Sequence, residues 1–230
     1  MERGDGRAAD VLREVSIEPD VQRHPVGSTL VTFGRTRVLC AVSHELGAPA
    51  FRGDAGWVTA EYAMLPGATD TRARRERTGP SGRSKEIERL VGRALRSVVD
   101  LDALDACTLT VDCDVLDADG GTRTAAITGA WVALARALRR IGASEALVGQ
   151  VAAVSVGMVD GDAVLDLPYA EDARADVDMN VVMTADGRFV EVQGTAEGAP
   201  FDRGELDALL DLAAHGCSQL FAVQREALES

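Results

Sequence analysis

Three stretches of this 230-residue chain hold side chains suited to chemistry on an anion. In the first, "DCDVLDADGGTRTAAITGAWVALARAL", the aspartates 112, 114, 117 and 119 precede Gly120-Gly121-Thr122-Arg123, and an apolar helical pattern follows. A helix start leaves backbone N–H groups free, and its dipole places about half a positive charge there. Glycines at such a turn let an oxyanion approach the backbone. Thr122 adds a hydroxyl donor and Arg123 a fork suited to phosphate. The turn is not a P-loop, because GxxxxGK[ST] is absent. A plain strand-to-helix connection is the competing reading of this motif alone. A calcium loop is excluded, since Asp117 stands where such a loop needs glycine.

The second stretch, "YAEDARADVDMN", holds Glu171, Asp172, Asp176 and Asp178. Asp176 and Asp178 share one face at strand spacing, and Asp172 sits at the turn before them. Carboxylates meeting at one point suit Mg²⁺, which takes a few of them plus waters and phosphate oxygens. The alternative is a solvated acidic turn. The third stretch is basic. The net charge is −13, yet Arg72, Arg74, Arg75, Arg77, Arg83, Lys85 and Arg89 fall within "TRARRERTGPSGRSKEIER". A uniformly acidic surface repels nucleic acid, whereas a basic island binds a polyanion locally. An anion cradle, a carboxylate pair and a basic loop together point to phosphoryl or nucleotidyl transfer. His24, His44 and His215 show no ligand spacing, and no GxSxG or HExxH occurs. Cys40, Cys107, Cys113 and Cys217 lack CxxC spacing and read as buried free thiols.

The elements that must position these residues follow from periodicity. Ser28–Val42 alternates as two strands about a Gly34 turn, and Gly56–Leu65 is a further strand. The long polar loop Pro66–Gly82 follows. Ser84 is the expected N-cap of an amphipathic helix to about Leu101, marked by Ile87, Leu90, Val91, Leu95, Val98 and Val99. In Cys107–Leu116, Leu109, Val111, Cys113 and Val115 share one face. The next helix carries Ile127, Trp131, Leu134, Leu138 and Ile141 and stops at Gly142. Val151–Leu167 and Asp176–Gly194 are hairpins turning at Asp160-Gly161 and Asp186-Gly187. A long helix begins near Asp202. This is an α+β layout with antiparallel sheets, flanking helices and two related halves. No linker separates domains, so one domain over 1–230 is expected. No 18-residue apolar run and no apolar leader stand out, so no membrane span, no signal peptide and a cytoplasmic location are expected.

At this point the residues resemble the ribonuclease PH family of phosphate-dependent exoribonucleases. The matching segments run in order along nearly the whole chain: "DGR", "GSTLVTFGRTRVLCAVS", "GWVTAEYAMLP", "SGRSKEIERLVGRALRSVVDL", "DCDVLDADGGTRTAAITGA", "AAVSVGMVDGDAVLDLPYAED" and "VDMNVVMTADGRFVEVQGTAEG". The resemblance implies the β-α-β fold shared with polynucleotide phosphorylase and the exosome core, and a homohexamer built as a trimer of dimers. It implies trimming of tRNA precursor 3′ ends with inorganic phosphate as co-substrate, release of nucleoside diphosphates, and the reverse nucleotidyl addition. It assigns phosphate binding to Arg83, Gly121, Thr122 and Arg123. Mg²⁺ and the chemistry fall to Asp172 and Asp178, with Asp178 a candidate for proton exchange. The aspartates of Asp112–Asp119 become framework, and "QGTAEG" (Gln193–Gly198) is a signature with no assigned chemistry. Arg72, Arg74, Arg75 and Arg77 are the candidate RNA contacts. Departures cluster in the basic loop: Gly67 where the family carries Arg, Asp70 where it often carries His, and a shorter run to Gly82. The segment after Ile141 is shortened too. These departures bear on tRNA docking, not on phosphate binding.

Overall fold

The computed structural model describes residues 3–76 and 79–229, and Arg77 lies outside them. The first sheet holds β1 (Val15–Pro19), β2 (Gly27–Phe33), β3 (Thr36–Leu46), β4 (Trp57–Met64) and β5 (Cys107–Asp117), in the order β1-β2-β3-β5-β4. Gly34, at φ 57°, closes the β2–β3 hairpin. β5 buries Leu109, Val111, Cys113 and Val115 on one face, as its alternation requires. β4 and β5 run parallel, joined through α1 (Gly82–Arg96), so the sheet is mixed rather than antiparallel throughout. A parallel pair cannot be closed by a tight turn and needs such a crossover.

The start of α1 is three residues earlier than the spacing suggests. Ser81 is the N-cap, and its side-chain oxygen accepts from the Ser84 N–H at 3.2 Å. The helix also ends at Arg96 rather than near Leu101. Val98 and Val99 are still buried, so apolar spacing outlasts the helical backbone.

The second sheet holds β6 (Val151–Val159), β7 (Asp162–Leu165), β8 (Val177–Thr184) and β9 (Phe189–Ala196), in the order β7-β6-β8-β9 and antiparallel throughout. The one-turn α3 (Tyr169–Asp172) leads into β8, and α4 (Arg203–Glu229) closes the chain.

Between the sheets runs α2 (Thr122–Arg140), packed on β2 and β3 on one side and on β6 on the other. It is buried nearly all round, which its alanine-rich sequence permits. Small side chains let the backbones close in. Thr29 Oγ1 donates to the Gly129 carbonyl at 3.1 Å, and Thr128 Oγ1 accepts from Ala153 N at 3.2 Å. All nine residues of β6 are buried, so this strand shows no alternation. One apolar core therefore spans both sheets, and it aims the N-terminus of α2 at the seam between them.

Gly27 marks the tightest approach. A Cβ there would lie 2.1 Å from the Ala133 carbonyl oxygen and 2.8 Å from Ala137 N, both backbone atoms of α2. Gly27→Ala is therefore expected to lower the unfolding free energy by about 3 kcal/mol, the upper end for overpacking. Urea unfolding of the variant checks this, and a cost under about 1 kcal/mol would show that α2 can shift.

Candidate active site

The turn before α2 is bent by two left-handed glycines, Gly120 at φ 75° and Gly121 at φ 65°. A Cβ on Gly120 would meet the backbone of residues 167–169, with the Leu167 carbonyl oxygen at 2.5 Å. The turn is thus pressed against the corner that leads into α3. Arg13 clamps the two together. Its Nη2 and Nε donate to the Asp166 carboxylate at 2.6 and 2.9 Å, and its Nη1 donates to the Asp119 carbonyl at 2.6 Å. Thr36 Oγ1 adds a bond to the Gly120 carbonyl at 2.7 Å. These contacts take up carbonyls of the turn, while the first N–H groups of α2 have no partner within the helix.

Beside the turn lies a cleft of about 1040 Å³. Arg83, Gly121, Thr122, Arg123, Asp172 and Asp178 all line it. They come from the start of α1, the α2 turn, the end of α3 and β8. Asp176, the alternative member of the acidic pair, is exposed and is not on the cleft wall. Arg72, Arg74 and Arg75 are exposed, and the preceding residues Gly67 to Thr71 form the wall in their place. The altered position Asp70 therefore faces the cleft itself.

The two carboxylates are electrostatically strained. Burial pushes the Asp178 carboxyl up to about 6, and the negative charges of Asp172 and Glu197 add to the rise, while Arg123 and Arg83 oppose it. Asp172 is also raised by burial, against the pull of Arg83, Arg123 and Arg13. Arg83 and Arg123 thus act on both carboxylates, which places the four groups in one local field.

Several site residues carry no sequence signal of their own. Tyr62 on β4 donates its hydroxyl to Thr122 Oγ1 at 2.8 Å. Burial raises the Tyr62 phenol above its ordinary value, so it stays a donor and leaves the Thr122 proton free to point elsewhere. Gln193, in the unassigned "QGTAEG" segment, accepts from Arg123 Nη1 at 2.7 Å. Arg35 and Tyr169 also line the cleft, and Tyr169 is 62% exposed. Only their position in the fold distinguishes them from surface residues.

Of the acidic run before the glycines, Asp117 and Asp119 also line the cleft, and both make contacts within the protein. Asp119 Oδ1 accepts from Tyr169 N at 3.3 Å, and Asp117 pairs with Arg37 at 3.3 Å. Asp112 is pushed up to about 6 by burial and by the charges of Glu61 and Asp114. The four cysteines are free and buried.

Two family models match the chain in tandem, "3' exoribonuclease family, domain 1" over residues 11–139 and "domain 2" over residues 149–216. The chain belongs to the 3′ exoribonuclease family. Ribonuclease PH of Frankia casuarinae is 60% identical over 232 residues, covering 99% of this chain and 94% of that protein. Ribonuclease PH of Nocardia farcinica is 60% identical over 238 residues, covering 98% and 92%. In three dimensions the chain resembles the Archaeoglobus fulgidus exosome with RNA bound to the active site, with a TM-score of 0.83 at 28% identity, covering 96% of this chain and 92% of that one. At this similarity the 3′ exoribonuclease is a phosphorolytic 3′–5′ enzyme of the nucleotidyltransferase type, with inorganic phosphate as co-substrate.

The raised Asp178 carboxyl has a consequence for stability. The folded chain holds that proton more tightly than the unfolded chain does, so stability falls as pH rises from about 4 to about 6 and then levels. A shift of about two units corresponds to about 3 kcal/mol. In metal-free buffer Asp178→Asn should therefore stabilise the protein by about that amount at pH 8 and hardly at all at pH 4. Urea unfolding at both pH values checks it; equal effects at the two would show an unstrained carboxylate.

Proposed function

We propose that the cleft binds inorganic phosphate beside an RNA 3′ end and drives phosphate onto the last phosphodiester. The carrying observation is that one cleft gathers Arg83, Gly121, Thr122, Arg123, Asp172 and Asp178 from separate elements. The free N–H groups of α2, the Thr122 hydroxyl and the guanidinium groups of Arg83 and Arg123 grip the phosphate. A phosphate oxygen attacks the terminal phosphorus, the bond to the 3′-oxygen of the penultimate nucleotide breaks, and a nucleoside diphosphate leaves. The shortened RNA leaves with a new 3′-hydroxyl, its oxygen taking a proton from the Asp178 carboxyl. The two arginines offset the repulsion between anionic reactants, and positioning supplies much of the rate. The same geometry supports the reverse addition of nucleotides.

Mg²⁺ fits Asp172 and Asp178. Among the described residues no group of three or more His, Cys, Asp or Glu forms a metal cage. Mg²⁺ needs none, since it is held by one or two carboxylates with water and substrate oxygens. The donor chemistry agrees: burial raises the proton affinity of both carboxylates, the charge of Asp172 adds to the rise at Asp178, and a divalent cation would offset that conflict. When bound, it would neutralise charge developing on the phosphodiester.

The substrates proposed are tRNA precursors and other RNA 3′ ends. Arg72, Arg74, Arg75 and Arg77 are the proposed contacts to the RNA backbone, and the exposed ring of Tyr169 offers a face for a base. We propose that the chain acts as one folding domain in a homohexamer, a trimer of dimers. The continuous core supports the first part, and the likeness to chains of exosome cores, which are assemblies, supports the second. Among the described residues no helix is long and apolar enough to cross a membrane. Four free buried thiols suit the reducing cytoplasm, where we place the protein.

Product analysis tests the reaction. With phosphate, RNA should yield nucleoside diphosphates, and without it the enzyme should be nearly silent. Monophosphates in phosphate-free buffer would identify a hydrolase, and RNA binding with no product would identify a non-catalytic subunit. Arg123→Ala should raise the KM for phosphate roughly tenfold or more, because a charge-assisted contact is lost. Asp178→Asn should lower kcat roughly a hundredfold, which steady-state kinetics at saturating phosphate would reveal.

A further inference from the structure

We propose that Gln193 is a positioning residue for phosphate use, holding the Arg123 guanidinium in its working direction through an amide bridge to Glu86. This rests on the reading of Arg123 as a phosphate ligand. Three elements meet at the bridge: Arg123 in the first turn of α2, Gln193 on β9 and Glu86 on α1. Arg123 Nη1 donates to Gln193 Oε1 at 2.7 Å, and Gln193 Nε2 donates to Glu86 Oε1 at 2.6 Å. The direct Arg123–Glu86 approach is longer, at 3.6 Å.

The chemistry of the amide explains why it suits this place. Arg123 lies in a field of carboxylates, with Asp172 and Asp178 each drawing on its charge and Glu86 a few ångströms off. An unrestrained guanidinium in such a field would fold onto one carboxylate and lose its charge to it. The Gln193 carbonyl takes up one N–H without neutralising anything. Guanidinium has five donors. Among the described residues, the one hydrogen bond of the group is this one. The remaining donors stay open, and the cationic charge remains available for a small anion.

The direction of the amide is determined by its two neighbours. Its oxygen must face the cation and its NH₂ the carboxylate, since the flipped arrangement is repulsive at both ends. Gln193 thus ties Arg123 to the helix that carries Arg83. The two proposed phosphate-binding arginines are thereby set relative to each other across the seam between the sheets. A carboxylate at position 193 would do the opposite, confronting Glu86 and competing with phosphate for Arg123.

The test is steady-state phosphorolysis with phosphate and RNA varied separately. Gln193→Met keeps the side chain's length and removes both polar ends. It should raise the KM for phosphate roughly fivefold or more. Gln193→Glu should raise it further, roughly tenfold or more, because an added carboxylate captures the guanidinium. In both, kcat at saturating phosphate, the KM for RNA and the thermal midpoint should stay near their wild-type values. Arg123→Ala, run in parallel, separates the two levels of the reading. If it leaves phosphate dependence unchanged, Arg123 is not a phosphate ligand. If it weakens phosphate use while both Gln193 variants keep the wild-type KM, the positioning role is overturned. Parallel loss of kcat, RNA affinity and thermal midpoint would also overturn it, as a general structural role.

Discussion

The site depends on a buried ion pair. Asp166 has no exposed side-chain surface, and the Arg13 side chain is 5% exposed. Asp166 sits at φ 54°, at the end of the second sheet's hairpin. Arg13 spans from this carboxylate to the carbonyls of the glycine turn. A second pair, Arg3 with Glu171, braces α3 from the other side, its guanidinium also bonding the Leu165 and Asp166 carbonyls at 2.8 and 3.1 Å. Two arginines from the N-terminal segment therefore set the distance between the glycine turn and the helix that carries Asp172. Desolvation takes back most of what such pairs gain, but losing one partner strands a buried charge at a cost of about 3–5 kcal/mol. Their contribution is a single geometry more than a deep energy well.

That geometry has to reconcile opposing electrostatic demands. The protein carries −13 charges, yet its substrates are a phosphate ion and a polyanion. Local cations answer this: Arg83, Arg123 and the N-terminus of α2 line one cleft. The carboxylates placed among them are held at raised proton affinity. The raised Asp178 carboxyl weakens the fold at neutral pH, so the role proposed for it in the reaction would set stability against function. Tyr62 and Gln193 are neutral groups that hydrogen-bond to Thr122 and Arg123 without adding charge to the balance.

Much of the scaffold was legible because local patterns and burial agree. The Ser28–Val42 hairpin, the alternation of β5 and the hairpins turning at Asp160-Gly161 and Asp186-Gly187 each appear where spacing places them, whereas α2 is buried nearly all round and not along one stripe. β1 went unread: five residues with a glutamate and a terminal proline carry too little periodicity, and pairing to β2 makes them a strand. The apolar stripe of α1 begins beside Ser84 and so points to that residue as the N-cap, where the structure has Ser81. Ser81 and Ser84 are equally good caps by type, and only the folded loop chooses between them. The parallel β4–β5 pair was equally hidden, because strand direction is a property of the crossover and not of either strand.

By itself, the sequence determined the chemistry on offer. Glycines before an apolar helix permit an anion cradle, arginines supply forks, and the long ordered motifs identify the family. It also made the choice of acids possible, through the segment that ends in Asp178. Only the tertiary structure decided which groups meet. Arg83 and Asp178 are far apart in the chain, as are Arg13 and Asp166, and Gln193 and Arg123. Spacing along a chain reports on neighbours within one element. Contacts across the seam depend on how two sheets close around α2, and that packing is settled by the whole core at once.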